Sequence, residues 1–486
     1  MRAFSLFSSL QLLRSGSRWS RNSKVFSSIT FCPATYIASG CIFRLPSNRN
    51  IHSLLPYLQE RILQLAEEKR ASLKEIRKQS GSLGVSTATV DSVAGGMRGL
   101  TCLLTETSEL DSEKGITFRG HTIDECIQSL PTAPGGYYPL PEGLFWLLLT
   151  GEIPTAEEVT ALSAFIAERS FVPHYVKQTI NCLPKQSHPM TQLIVAMAAL
   201  QSESSFARHY GASLSKKDYW KEILNDGLSM VAKIPVVAAY IYRRTFKDGH
   251  LPEVDTSLDW ASNFVNLLGF SSPEHSELMR LYLFLHADHE GGNVSAHSST
   301  LVGSALADPF LCFTAAMAGL AGPLHGLANQ ECLKWLQSIQ KELMGEIPSE
   351  ERIKEMAQAT LASGKVIPGY GHAVLRVTDP RFVAQHAFAL RHLPEFDLFK
   401  LLDVCVKVIP DVLLATGKVK NPYPNVDCHS GVLLQYYDLV EVDYYTVLFG
   451  VSRSLGIVSQ LVWARLLGLP IERPKSISIS GLQKLL

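Results

Sequence analysis

The chain has 486 residues, of which 46% are hydrophobic and 19% are charged. This is the composition of a globular protein, and it excludes a disordered, a collagen-like or a disulfide-scaffold chain. The 45 basic and 45 acidic residues cancel to a formal charge of zero. Since no overall field draws the molecule to polyanions, we expect neither a nucleic-acid nor a membrane partner, and an anionic ligand must be held by a few placed cations.

The first 50 residues differ from the rest of the chain in charge. They contain no acidic residue, eleven serines and seven basic residues: Arg2, Arg14, Arg18, Arg21, Lys24, Arg44 and Arg49. A basic, serine-rich, acid-free leader is typical of a mitochondrial transit peptide. The alternative is a disordered basic tail. We predict that residues 1–50 form a transit peptide and that the mature chain carries a mildly acidic charge.

The nine cysteines are scattered, without a Cys-x-x-Cys pair or a zinc-type ladder. This spacing favours reduced, mostly buried thiols.

Helical periodicity dominates the chain, and strand patterns are few and short. From Leu58 the apolar positions recur with Ile62 and Leu65 beside a charged face, which predicts an amphipathic helix. Residues 228–242, 311–322 and 445–469 are apolar nearly all round, which predicts buried helices. Pro348 and Ser349 are typical of a helix start. The sequence therefore predicts an all-α protein.

Histidine-rich segments are the first candidates for chemistry. In HADHEGGNVSAH, a metal hypothesis would use His286, His289 and Glu290, but their spacing fits a zinc helix poorly. A core histidine and an anion contact remain as alternatives. In AGPLHGLANQE, His325 lies just before a predicted helix. There it either caps the helix or, held neutral by the helix N-terminus, donates a hydrogen bond to an oxyanion.

Two loops complete the set of candidates. KVIPGYGHAVLRVTDPR offers two glycines that let backbone approach a ligand, with His372 and Arg381 as donors. It lacks a nucleotide fingerprint. KNPYPNVDCHSG contains Asp427, which on spacing alone is a turn or helix-cap carboxylate.

Six motifs in one order resemble the mitochondrial-type citrate synthases. They are HEGGNVSAH, GPLHGLANQE, the stretch from Gly369 to Arg381, NVDCHSGVLLQYY, LFGVSRSLG and ERPKS. The resemblance covers roughly residue 54 to the end of the chain. Cys428 departs from the family pattern, which usually has alanine there, and a second arginine for the CoA phosphates has no clean match.

The resemblance implies a role for each matching residue. His325 would hydrogen-bond the acetyl-CoA carbonyl, Asp427 would remove a methyl proton, and His372 would polarise the oxaloacetate ketone. The residues that would hold oxaloacetate are His289, Arg381, Arg453 and, from the second subunit, Arg473. The residues that would contact CoA are Arg98, Val366, Ile367, Pro368, Gly369, Tyr370, Gly371 and Asn425.

The family also implies an architecture and a location. The expected fold is all-α with two lobes: a large domain of residues 51–326 and 433–486, and a small domain of residues 327–432. The active site would lie at their junction, in a homodimer located in the mitochondrial matrix. Acetyl-CoA would be a substrate, and neither a cofactor nor a metal would be required.

Three other functions compete with the synthesis of citrate. A 2-methylcitrate synthase would use propionyl-CoA with the same residues, because one methylene discriminates by only about 1–3 kcal/mol. A catalytically silent helical scaffold would have no use for His325, His372 and Asp427 together. A metal-dependent hydrolase would need His286, His289 and Glu290 as ligands.

The leader generates a first prediction. Removing residues 1–50 should leave a soluble, active protein, because that segment offers little periodic apolar surface to pack. Expression of the truncated chain and an activity assay check this, and misfolding would contradict it. In cells, the full-length chain should enter mitochondria, whereas an uncut cytosolic protein would refute the targeting hypothesis.

Overall fold

The computed structural model describes residues 53–212 and 214–485, which all belong to one compact unit. The predicted transit peptide, residues 1–50, lies outside the described residues. Helices dominate the described chain, as the periodicity predicts.

Twenty α-helices follow one another along these residues. They are α1 (Leu54–Ser80), α2 (Val90–Ala94), α3 (Ile123–Ser129), α4 (Pro141–Thr150), α5 (Ala156–Glu168), α6 (His174–Asn181), α7 (Pro189–Ala199), α8 (Ser205–Tyr210), α9 (Tyr219–Phe246), α10 (Trp260–Leu268), α11 (Pro273–Leu285), α12 (Val294–Ser304), α13 (Pro309–Leu320), α14 (Ala328–Glu342), α15 (Glu350–Ala362), α16 (Pro380–His392), α17 (Asp397–Ala415), α18 (Asp427–Tyr436), α19 (Tyr445–Leu466) and α20 (Ile479–Gln483).

One small antiparallel sheet interrupts the helices. Its strands are β1 (Ser108–Asp111), β2 (Gly115–Phe118) and β3 (His121–Thr122), in the order β1-β2-β3. Ser108 pairs with Phe118, and Thr117 pairs with Thr122. The sheet brings the start of β1 against the segment after α11, where candidate site residues lie.

Helix α1 confirms the amphipathic pattern. Leu58 and Ile62 are buried as predicted and Leu65 is half-buried. Leu54 and Ala66 complete the buried stripe, so one side packs on the core and the charged face meets solvent.

The core is built around α19, which packs along α9 and also contacts α4, α11, α12 and α13. A Cβ added at Gly227 of α9 would lie 2.4 Å from Cγ1 of Val458, so glycine permits the close approach of these two helices. The segment Val442–Leu466 is long and apolar enough to cross a membrane by length and composition, but 94% of its apolar window is buried inside the protein. It is therefore a core helix here.

Helices α14 to α18 pack mainly on one another, with α14 on α18, α15 on α17 and α16 on α18. Ser349 caps α15 by accepting a hydrogen bond from the backbone N–H of Arg352, which confirms the predicted start of that helix. These helices cover most of residues 327–432. The division into a large and a small domain at 326 and 433 stays a prediction.

The cysteines of the described residues are all free thiols. Five are buried, and Cys102 and Cys182 are exposed. This agrees with the expectation of reduced, mostly buried thiols.

Candidate active site

His325 lies in the turn that joins α13 to α14. Its Nε2 accepts a hydrogen bond from the backbone N–H of Ser295 at 3.3 Å and lies 3.0 Å from the Ser295 hydroxyl. Because a backbone N–H can only donate, Nε2 is the unprotonated nitrogen and Nδ1 carries the hydrogen. Burial, with a smaller contribution from the charge of Arg453, lowers the pKa of His325 to about 4. The imidazole is therefore a neutral donor through Nδ1.

His372 is fixed in the opposite tautomer. Its Nδ1 accepts hydrogen bonds from the backbone N–H groups of Val374 at 3.0 Å and Leu375 at 3.1 Å, so its hydrogen lies on Nε2. Burial, reinforced by the charge of Arg381, lowers the pKa of His372 to about 4. This histidine is a second neutral donor, and its backbone partners belong to its own loop.

His289 lies among these groups. Its ring meets that of His372 edge to face, with centroids 5.5 Å apart. Burial lowers its pKa well below the usual value, and the charge of Arg381 adds to this effect. Its Nε2 is buried and has no hydrogen-bond partner among the described residues. An unpaired buried nitrogen is costly, so a ligand atom here would remove a penalty.

Arg381 lies at the start of α16 and is buried. Its guanidinium forms an ion pair with the carboxylate of Asp379. Its Nε and Nη2 donate to the two Asp379 oxygens at 3.0 and 2.7 Å. Burial opposes the ionisation of Asp379, but the guanidinium outweighs it and the pKa of Asp379 is lowered. Nη1 of Arg381 has no partner within residues 53–212 and 214–485, so one edge of the guanidinium remains available.

Arg453 comes from the middle of α19 and is 1% exposed. Its Nε donates to the carbonyl of His286 at 3.1 Å, and its Nη1 donates to Asn293 Oδ1 at 3.0 Å and to Ser295 Oγ at 3.2 Å. None of the ion pairs in the described chain includes it. Burial lowers its pKa to about 10, so Arg453 stays charged at neutral pH and lacks a paired anion.

Phe449, one turn before Arg453, lies beside both this cation and His325. The Arg453 guanidinium lies 4.7 Å from the Phe449 ring centroid, and the His325 ring lies 6.1 Å from the same centroid. The aromatic ring therefore forms a wall shared by the two polar side chains.

Asp427 is the first residue of α18. Its backbone N–H donates to Asn425 Oδ1 at 3.0 Å, whereas its carboxylate accepts no hydrogen bond from a described residue. Burial raises its pKa to about 6, against an opposing effect of Arg381. A carboxylate that is ionised at neutral pH and has no hydrogen-bond partner is suited to take a proton.

The loop of residues 366–371 is held by the segment before α18. The Asn425 N–H donates to the Gly369 carbonyl, and the Asn425 side chain donates to the Gly371 carbonyl, both at 2.9 Å. Gly369 has φ +84°, and a Cβ there would lie 2.6 Å from Cys332 Sγ, so only glycine fits. Val366 is 81% exposed, which leaves the start of this loop open to a ligand.

Two predicted residues do not join the cluster. Arg98 and Arg473 are both exposed, and neither makes a hydrogen bond or an ion pair with any residue that the structure describes. Arg473 follows Glu472, which bonds His297 of α12 at 3.2 Å.

The metal hypothesis gains no support. His286 Nδ1 lies 2.8 Å from the Tyr282 carbonyl, and the described residues contain no group of three ligand-type side chains that could hold a metal ion. His286 is thus a buried helix-end histidine.

The sequence analysis missed the residues that orient the site. Ser295 and Asn293 lie inside HEGGNVSAH, and Asp379 lies inside the Asp-Pro-Arg motif, but no role follows from their type or spacing. Phe449 lies inside LFGVSRSLG, but its apolar type assigned it no role beyond the buried helix. The roles of Ser295, Asn293 and Phe449 depend on contacts between segments distant in the chain, whereas Asp379 pairs with Arg381 two residues later.

Comparisons with known proteins identify the family of the chain. The family model for the citrate synthase C-terminal domain matches residues 96–475. The mitochondrial citrate synthase of Xiphias gladius is 53% identical over 454 residues, which are 93% of this chain and 97% of that protein. The probable mitochondrial citrate synthase of Glossina morsitans morsitans is 56% identical over 421 residues, 86% of this chain and 90% of that protein.

Solved structures agree on the fold. Citrate synthase from Pyrobaculum aerophilum aligns with a TM-score of 0.69 at 26% identity, over 82% of this chain and 95% of that one. Citrate synthase from Thermoplasma acidophilum, in a ternary complex with carboxymethyl coenzyme A and oxaloacetate, aligns with a TM-score of 0.67 at 22% identity, over 81% of this chain and 97% of that one.

The predicted resemblance, the all-α fold and the mitochondrial location are thereby confirmed. The chain belongs to the citrate synthase family of condensing transferases.

Proposed function

We propose that this chain condenses acetyl-CoA with oxaloacetate and water to give citrate and CoA. The observation that carries the proposal is the opposite tautomers of His325 and His372: two neutral donors whose other nitrogens are already occupied by backbone N–H groups. Two reacting carbonyls need two such donors. The carboxylate of Asp427 supplies the base.

The first step is removal of a proton from the acetyl methyl group. Asp427 takes the proton, and the electron pair moves onto the thioester oxygen to give an enolate. His325 Nδ1–H donates a hydrogen bond to that oxygen. A preorganised donor at a developing oxyanion is worth about 2.7–4 kcal/mol in comparable sites. A neutral histidine suits this role, because Nε2 already accepts from Ser295.

The second step forms the carbon–carbon bond. The enolate carbon attacks the oxaloacetate ketone, whose oxygen becomes negatively charged. His372 Nε2–H donates to it, and the product is citryl-CoA. Water then cleaves the thioester bond, which releases CoA as the thiol and leaves citrate. The alkoxide takes up one proton, which balances the proton that Asp427 removed, and hydrolysis releases one proton to the solvent because the new carboxylic acid ionises.

Substrate carboxylates explain the cations of the site. Arg453 has no anion partner, and Arg381 keeps Nη1 available beside its pair with Asp379. Planar guanidinium groups bind carboxylates in a bidentate manner. A carboxylate near His289 would also satisfy its buried Nε2. The loop at Val366 and Asn425 would carry CoA, with Arg98 near its phosphates.

A homodimer would complete the site. Arg473 is exposed and has no partner in the part of its own chain that the structure describes, which suits donation to a substrate carboxylate in the second subunit. Within one chain, the site would have Arg381 and Arg453 to bind the two carboxylates of oxaloacetate. Oxaloacetate and the thioester of acetyl-CoA would then be enclosed between helices α14 to α18 and the core.

The direct test is release of CoA from acetyl-CoA that depends on oxaloacetate, followed with a thiol reagent. Absence of that release from a folded protein would refute the proposed function. Propionyl-CoA measured in parallel distinguishes a 2-methylcitrate synthase, since that enzyme would turn over propionyl-CoA at least as well.

Replacing the base is the sharpest mutational test. Asp427→Asn should lower kcat by at least ~100-fold, because the amide cannot accept the methyl proton, while oxaloacetate binding stays near normal. Asp438→Asn, the same change in the exposed turn after the same helix, serves as the matched control and should retain activity. Near-normal citrate formation by Asp427→Asn would show that this carboxylate only begins a helix.

The pH dependence follows from the raised pKa of Asp427, about 6. The base works when ionised, so kcat/KM for acetyl-CoA should be flat above pH 7 and fall tenfold per unit below about pH 6. His325 and His372, with pKa values near 4, stay neutral through this range. A profile without an acid limb between pH 5 and 7 would contradict the assignment of the base.

Mixing two inactive chains tests the shared site. Arg473→Ala should chiefly raise the Kd for oxaloacetate, at a cost of about 1.5–3 kcal/mol for a hydrogen bond to a charged group. Heterodimers of Arg473→Ala with Asp427→Asn should regain activity, because one of their two sites has both residues intact. If verified heterodimers stay inactive, Arg473 serves its own subunit and the shared site is wrong.

A further inference from the structure

Asp288 is a charged residue for which the mechanism above has no use. It is fully buried and lies directly before His289. Its Oδ2 accepts hydrogen bonds from the hydroxyls of Thr107 at 2.5 Å and Ser108 at 2.8 Å, and its Oδ1 accepts from Gln460 Nε2 at 2.7 Å. All three partners donate, so the arrangement matches the ionised carboxylate.

The backbone of α19 brings this carboxylate close to the turn that carries Arg453. A Cβ added at Gly456 would lie 2.7 Å from Asp288 Oδ1 and 2.4 Å from the Ala287 carbonyl. Gly456 is one turn after Arg453, and the Arg453 Nε donates to the carbonyl of His286, two residues before Asp288. Asp288 and Arg453 are thus neighbours on one helix surface without forming an ion pair.

The charges of Asp288 and Arg453 affect each other's pKa, although the two groups form no ion pair. Burial is the largest effect on both groups: it raises the pKa of Asp288 and lowers that of Arg453. The opposite charge counters burial in each case, since Arg453 favours the ionised carboxylate and Asp288 favours the ionised guanidinium. Asp288 also acts on Arg119, but Arg119 has its own acid, Glu106, at 3.5 Å.

A negative charge beside a site for carboxylates has a second effect. It repels any anion that Arg453 binds, and burial keeps that repulsion from being screened by salt. An asparagine would fill the same space, and its Oδ1 could accept hydrogen bonds from one side of this donor set. Packing alone therefore does not explain a charge at this position.

We infer that the buried charge of Asp288 lowers the affinity of the site for carboxylate ligands and so speeds the release of the tricarboxylate product. The inference rests on the proposed function, because it takes Arg453 to hold a substrate carboxylate. In this view Asp288 is a positioning residue: it keeps Arg453 ionised in the empty site and prevents overly tight binding in the filled one. It touches neither substrate.

The test is the affinity of the folded dimer for two anions, oxaloacetate and citrate, measured by titration calorimetry. Asp288→Asn should lower both Kd values by about threefold to thirtyfold, as expected for removing one unit charge several ångströms away. Product inhibition by citrate should tighten in parallel. A residue that only supports the fold would change these constants in the opposite direction or not at all.

Thr107→Val is the matched control, because it removes one hydrogen bond to Asp288 and keeps the charge. It should shift both Kd values far less than Asp288→Asn. If Asp288→Asn does not fold, Gln460→Lys tests the role of the Asp288 charge. Its ammonium group beside Oδ1 would neutralise the same carboxylate, so this variant should also tighten citrate binding. Unchanged or weaker binding of both anions in the folded variant would overturn the inference.

Wild-type turnover separates this inference from the proposed function. Oxaloacetate-dependent CoA release by the unmodified protein, together with unchanged anion affinity in Asp288→Asn, would reject the role of Asp288 alone. Loss of that release in the wild type would reject both.

Discussion

Burial of ionisable groups determines the charge state of the candidate site. Removing water from His325 and His372 lowers their pKa values to about 4, and removing it from Asp427 raises its pKa to about 6. The same effect thus leaves two histidines neutral and one carboxylate basic at pH 7. Acid–base roles are therefore assigned by environment, because an exposed histidine would titrate near pH 6.5.

Burying these polar groups costs free energy, and hydrogen bonds with fixed partners offset that cost. Backbone N–H groups donate to one ring nitrogen of His325 and of His372, and Asp379 forms an ion pair with Arg381. Because these partners lie in short loops and helix starts, the polar groups keep their orientation before substrate arrives. Preorganisation of this kind lowers the free energy of the transition state, since no dipole has to turn as charge develops.

Packing of the core helices also positions Arg453. Helix α19 packs along α9, with a close approach at Gly227. This contact positions the helix that carries the buried Arg453 guanidinium. A charged group without a paired anion would be destabilising in an apolar core. Here a carbonyl, an amide oxygen and a hydroxyl, together with the nearby charge of Asp288, stabilise it.

The sequence by itself determined the helical class, the amphipathic α1, the start of α15 and the family, because apolar periodicity, capping residues and ordered motifs are local properties of the chain. Candidate residues such as His325 and Asp427 were found through those motifs. Only the tertiary structure decided which ring nitrogen of each histidine is free, that Asp379 pairs with Arg381, and that Asp288 lies against α19. The pairing of Asp379 with Arg381 and the tautomer of His372 depend on the geometry of loops only a few residues long. The tautomer of His325 and the position of Asp288 depend on contacts between segments 30 to 181 residues apart, which no local pattern encodes.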